Sequence, residues 1–412
     1  MNTSKFVGCT MILIGTTIGA GMLALPTACY AAGFTFASIL MLFMWALSIV
    51  TALMIIEVNL AFPAHACSFN TMTGKTLGTF GKIITWVSYL LLLYIITMAY
   101  IAGASSTANN ILKPILGAEA PSWTTAIPFT LILGTAVFWS TKSVDLFNRG
   151  LISLKSFLLI AAIALFMPHI DATKLFTEQN IEQAKYLWVA APTFLTAFTY
   201  QLVIPSLRIY IGEKPRELKW IVVLGATFCL VIYLLWIAVT LGTIPLVGDN
   251  SFTSWAQNHG SVGEFIRVAI DTINNKWVTS AIYGFTNVAL TTSFLGVTLS
   301  LFDFLADGFK RSNTRFGRLQ TACLTFVPPL LVALFYPKGF EKAVNCAAIF
   351  VAISLIILPA LMVYRLRKNP NLKSTYRMFG NNALIAAVVI AGAIILALSI
   401  MVSFNLLPNI RT

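Results

Sequence analysis

The chain has 412 residues, of which 58% are hydrophobic and only 10% charged, with a formal net charge of +13 and a mean hydropathy of +0.85. A soluble domain carries roughly 25% charged residues, so this composition cannot coat a water-soluble particle and marks an all-α, polytopic membrane protein. In a soluble protein the excess of basic residues would suggest nucleic acid; here their distribution along the chain gives another account.

Eleven runs are long enough for the roughly 20 apolar residues that a spanning helix needs. They cover about 6–30, 34–62, 83–107, 123–140, 150–168, 186–210, 220–243, 277–305, 319–336, 343–364 and 383–404. The first run far exceeds the roughly 7–15-residue core of a signal peptide, so a retained helix is expected. The runs are continuously apolar rather than alternating, which excludes spanning strands. With the N-terminus in the cytoplasm, cytoplasmic segments hold eighteen of the 27 lysines and arginines, outer segments hold eight, and Lys155 lies inside the fifth span. That bias sets the N-terminus inside and the C-terminus outside, and it accounts for the net charge with membrane lipid and no nucleic acid as partner. The longest connection, 246–276, mixes apolar and charged residues as a short amphipathic helix would. One transmembrane domain, 1–412, is expected.

The six cysteines stand singly and form no CxxC, so neither disulfides nor zinc are expected. His65, His169 and His259 lie too far apart in sequence to suggest a metal site. No cofactor and no obligate protein partner are expected.

Two spans read as broken. The first carries Gly15-Thr16-Thr17-Ile18-Gly19-Ala20-Gly21, followed by Pro26. The sixth carries Thr193, Thr196, Thr199 and Gln201, with Pro205 beyond them. Glycine and proline disfavour helix interiors, and irregular backbone in a bilayer is tolerated where it lines a cavity. Freed amides suit a carboxylate and freed carbonyls suit an ammonium. Breaks five spans apart are where a five-plus-five inverted repeat places them, with repeats at about 6–168 and 186–364 and an extra helix at about 383–404. A close-packing motif built on Gly15 and Gly19 is the competing account of the first. Lys155 is the basic residue placed well inside a span, and such a residue is a functional candidate by default; it could bear a coupling proton. Snorkelling to the surface is its bland reading. Glu57 is the acidic counterpart in span two, either a pathway residue or a packing carboxyl. Tyr94, Phe198 and Tyr200 are expected to face one cavity.

Several strings together resemble the bacterial hydroxy/aromatic amino acid permeases, the tyrosine-specific ones above all: Gly15–Pro26, Val144–Arg149, Thr292–Asp307, Arg311–Thr321 and Leu334–Phe340. The resemblance implies the LeuT-like fold, the bacterial inner membrane and import of an aromatic amino acid by proton symport. It implies backbone contacts from Thr16 to Gly21 to the substrate carboxylate; carbonyls near Ala197 and Phe198, at the sixth-span break, are expected to meet its ammonium. It places Lys155 beside Gly15, Thr292 and Ser293, the corner where sodium-coupled relatives of the fold hold an ion. The family usually reads Phe-Gly-Phe/Tyr-His-Gly at the sixth-span break, whereas this chain reads Phe198-Thr199-Tyr200-Gln201-Leu202. The substrate, tyrosine before tryptophan or a broader range, and the coupling ion, proton before sodium, therefore stay open. A membrane enzyme would need a constellation of catalytic residues, which is not seen. A passive channel would need polar rings along a pore, and a substrate sensor is the further alternative.

Overall fold

The computed structural model describes residues 3–63, 68–116, 120–139, 141–176, 181–257, 260–309 and 314–407. His65, Cys67, His259, Lys310, Arg311 and Arg411 lie outside the described residues, as do the side chains of residues 141–149.

Hydrocarbon offers backbone groups no hydrogen bonds, so apolar runs bond internally as helices. Among the described residues there are helices and no strand. Among the described residues, nine helical segments are long and apolar enough to cross a membrane: Phe34–Asn59, Phe69–Lys113, Gly150–His169, Glu182–Ile211, Pro215–Thr243, Lys276–Gly308, Arg315–Phe335, Phe340–Lys368 and Asn382–Ser403. The bent pair Ser4–Thr17 and Ala20–Cys29 makes a tenth. The apolar helix Trp123–Trp139, shorter at 17 residues, stands at the fourth expected position. Every expected span thus has its helix, numbered one to eleven below in chain order.

Span eight packs along spans five and three, and span seven packs along spans one and two. The bend in span one is therefore held between spans seven and eight. Span three extends toward its N-terminus into a second helix across Gly78, whose φ of 76° is open to glycine and strained for other residues. In span ten, Pro359 cannot donate to the carbonyl of Leu355, and the turn Ala352–Ile357 widens to a π-helix at that place. The expected amphipathic helix is Val262–Ile273. Ser261 caps it by accepting from the Glu264 amide at 3.2 Å. Its buried face, including Phe265 and Ile266, packs toward span three, while Arg267 pairs with Glu264 and Asp271 on the other.

Two of the expected site residues serve this framework instead. Pro328 leaves the carbonyl of Leu324, four residues earlier, without its helical donor. The Tyr94 hydroxyl donates to that carbonyl at 2.7 Å, so Tyr94 turns toward span nine and not toward the breaks. Glu57 accepts from Arg367 through both oxygens at 2.7 Å and from the Met378 amide at 2.9 Å. Its own carbonyl accepts from the Ser374 hydroxyl at 2.7 Å. A carboxylate so fully engaged fastens the segment after span ten to span two, and it is not brought to the breaks.

Tyr94→Phe should lower stability by about 1–3 kcal/mol, the cost of a buried carbonyl left without a donor. A thermal melt in detergent reads the loss, and substrate KM should stay unchanged. A raised KM at unchanged stability would return Tyr94 to the substrate site.

Candidate functional site

The two breaks have one build. In span one the helix ends at Thr17, Ile18 and Gly19 are irregular, Ala20–Leu23 is a 3-10 turn, and Ala24–Cys29 resumes the α-helix. In span six the helix ends at Ala197, Phe198 and Thr199 are irregular, Tyr200–Val203 is a 3-10 turn, and Ile204–Ile211 resumes. Pro26 and Pro205 sit in the first turns of the resumed helices, where a missing amide proton costs little. The first break bends the chain by 46°. The sixth is a local interruption in a 30-residue segment.

At the first break Gly19 is extended, with φ −132° and ψ −163°. The next amide, of Ala20, donates to the Ser293 hydroxyl of span eight at 3.1 Å. A Cβ on Gly19 would lie 2.8 Å from that same oxygen, so only glycine fits without displacing it. A Cβ on Gly21 would meet nothing within 4 Å, so the backbone there borders open space. The amides that begin a helix have no partner within it, and this places a small cluster of N–H groups between Gly19 and Gly21. Thr16 and Thr17 each donate to the carbonyl four residues earlier at 2.7 Å, which commits their hydroxyls to the helix. Lys155 is 2% exposed and does not snorkel. Its ammonium donates to the carbonyl of Gly15 at 3.1 Å. Thr292 is buried and bonds to Ala289 of its own helix, leaving Ser293 as the span-eight residue that reaches the break.

At the sixth break Phe198, Tyr200 and Gln201 are buried. Tyr200 and Gln201 reach back to span two: the Tyr200 hydroxyl lies 3.0 Å from that of Ser48, and the Gln201 amide donates to Thr51 at 3.3 Å. The other amide atom, Oε1 of Gln201, has no partner among the described residues. The Phe198 ring stands edge-on to Tyr233 of span seven, 5.4 Å between centroids. The Tyr233 hydroxyl meets the carbonyls of Thr17 and Ala197, at 2.7 and 2.9 Å. Leu202 and Pro205 line a cavity of about 370 Å³ with Asn70, Trp86, Tyr89 and Asp307.

Sequence reasoning missed Tyr233, Ser48 and Thr51. It also missed Tyr100, which stands beside Ser293, and Cys229, which stands beside Thr17 and Lys155. These residues sit on unbroken helices and carry no local signal. The weak cue was polar residues on spans two and seven with no caps or ends to serve.

Residues 2–399 match the tryptophan/tyrosine permease family. The chain belongs to that family. It is similar to the tryptophan-specific transport protein of Pseudomonas aeruginosa, at 34% identity over 99% of this chain and 97% of the relative. It is also similar to tyrosine-specific transport system 1 of Haemophilus influenzae, at 32% identity over 98% of this chain and 99% of the relative. Among solved structures it resembles the manganese transporter of Eremococcus coleocola, with a TM-score of 0.61 at 12% identity over 97% of this chain and 86% of that one. That likeness bears on the fold alone, and the fold is LeuT-like.

Gly19→Ala and Gly21→Ala separate framework from free space in this permease. The first should destabilise by about 1–3 kcal/mol, the range of overpacking, and displace Ser293. The second should melt like the parent and raise substrate KM by filling open space. Equal melting temperatures for both variants would overturn this account of the first break.

Proposed function

We propose that the protein is a secondary active importer of an aromatic amino acid, tyrosine first, driven by proton symport across the bacterial inner membrane, with the N-terminus cytoplasmic and the C-terminus outside. Segments 6–168 and 186–364 are its two inverted repeats, in keeping with the matching build of their breaks. The substrate carboxylate meets the amides around Gly19–Gly21, and its ammonium meets the carbonyl ends of the broken helices. The observation that carries the coupling is the position of Lys155: a buried amine on the Gly15 carbonyl, at the edge of the first break, with no carboxylate paired to it among the described residues. A proton leaving or joining that amine changes the hydrogen bond that holds the break.

Tyrosine is favoured by Gln201, whose Oε1 is a buried acceptor without a donor among the described residues. A ring hydroxyl supplies one and a phenyl ring does not. A site built around such a bond rejects the analogue lacking it far more strongly than a site that differs by one methylene. Tryptophan is the second reading, because its indole N–H is also a donor and the Pseudomonas aeruginosa relative is named for tryptophan.

Proteoliposome uptake tests both parts. Labelled tyrosine should accumulate with an inward pH gradient and without sodium; equal uptake with no pH gradient, or a requirement for sodium, would sink proton coupling. Lys155→Ala should abolish concentrative uptake in a folded protein, and accumulation at the parent level would remove Lys155 from the mechanism. In a competition panel tyrosine should compete best, tryptophan next and phenylalanine least. If tryptophan leads, the second reading replaces the first.

A further inference from the structure

Thr17 and Ala197 are the last residues of the first halves of spans one and six, 180 positions apart in matching places of the two breaks. Their carbonyls end helices, so they lack intrahelical donors and carry the negative end of a helix dipole. Both converge on one atom, the Tyr233 hydroxyl oxygen, at 2.7 and 2.9 Å. Tyr233 is buried, its ring is fixed edge-on against Phe198, and Phe198 directly follows Ala197.

A phenol has one proton to donate. Two carbonyl ends, each with two lone pairs, can accept more than that one proton supplies. The pair is therefore held together and left short of donors. An α-ammonium has the missing donors, as a lysine ammonium does with its three. The amides of Gly19–Gly21 begin two residues beyond Thr17, close enough for one small zwitterion to meet both its opposite ends on the same break.

We propose that Tyr233 is a positioning residue that builds the ammonium end of the substrate site. Its hydroxyl clamps the two helix-end carbonyls in the empty protein, and it shares them with the substrate's ammonium in the loaded one. The clamp also ties the broken spans to each other through span seven, so that binding at the carbonyls is felt by both. This inference rests on the reading of the protein as an amino acid transporter, but on the ammonium alone and not on the ring.

The test compares the parent with Tyr233→Phe, which keeps the ring contact with Phe198 and removes only the hydroxyl. Uptake in proteoliposomes gives KM and Vmax. Competition by the deamino analogue of the transported amino acid, with ring and carboxylate kept, gives the contribution of the ammonium. KM for the amino acid should rise about tenfold, the factor carried by one carbonyl–ammonium hydrogen bond lost when the unclamped carbonyls shift, while inhibition by the deamino analogue changes less than about twofold. If the analogue does not compete even with the parent, the KM-against-Vmax split decides: a raised KM with Vmax held supports the inference, and a lowered Vmax with KM held overturns it. An unchanged KM, or equal loss for amino acid and analogue, also overturns it. Should Tyr233→Phe fail to reach the membrane, Tyr233→His, which keeps a ring N–H, takes its place; a preserved preference for the amino acid over its analogue supports the inference and a lost preference overturns it. If the parent takes up an amino acid that is not aromatic, the proposed substrate fails while the Tyr233 comparison is run on that amino acid. Uptake of no α-amino acid overturns both.

Discussion

A helix broken in hydrocarbon frees amides and carbonyls that no water can satisfy, and each left bare costs several kcal/mol. The rest of this structure follows from how those groups are answered. Lys155 donates to Gly15, the single Tyr233 hydroxyl meets both the Thr17 and Ala197 carbonyls, and Ser293 accepts from Ala20. Even the proline in span nine is answered, by Tyr94 on the Leu324 carbonyl. The breaks are thus not local defects. They are made by spans five, seven and eight, which supply the missing partners, and the packing of those spans around span one is what lets the irregular backbone persist.

The buried charges divide by what they face. Glu57 with Arg367 forms a two-bond pair, and Arg208, 1% exposed, donates to the Asn59 and Phe62 carbonyls and pairs with Glu213. Both arginines fasten the same end of span two. Removing Arg367 would strand the buried Glu57 carboxylate at a cost of roughly 3–5 kcal/mol, which suits a fixed fastening and not a proton carrier; Glu213 is exposed, and Arg208 is held mainly by the two carbonyls. Among the described residues Lys155 faces a backbone carbonyl and no carboxylate. It can give up its proton without stranding a carboxylate, and this difference in partner separates the coupling candidate from the fastenings.

The sequence was most legible where composition alone decides. Apolar length located all eleven helices, because hydrocarbon thickness leaves little freedom. The breaks were legible because Gly19, Pro26 and Pro205 speak locally. Lys155 was legible because a lone charge in an apolar run has to be accounted for. What stayed hidden was direction. A tyrosine in a span reads the same whether it faces a cavity or a proline-freed carbonyl, so the sequence points Tyr94 to the cavity, whereas Tyr100, six residues on, stands beside Ser293 at the first break. Glu57 was equally ambiguous, since its partner Arg367 lies 310 positions away. Tyr233 carries no local mark at all, because its meaning lies in two carbonyls on other spans.

The same division bears on specificity. The groups at the first break are backbone, and backbone reads only the carboxylate and ammonium that every amino acid shares. At the sixth break Phe198 and Tyr200 are already packed, against Tyr233 and Ser48. Neither ring is a free platform for an aromatic substrate in this conformation. The groups still unspent there are the Gln201 oxygen and the half-buried Thr199 and Leu202, at the positions where the chain departs from its family's glycine-rich and histidine-bearing pattern. On the proposed reading, choice among side chains falls to the segment that has changed, while the zwitterion meets the amides of the first break and the helix-end carbonyls of both.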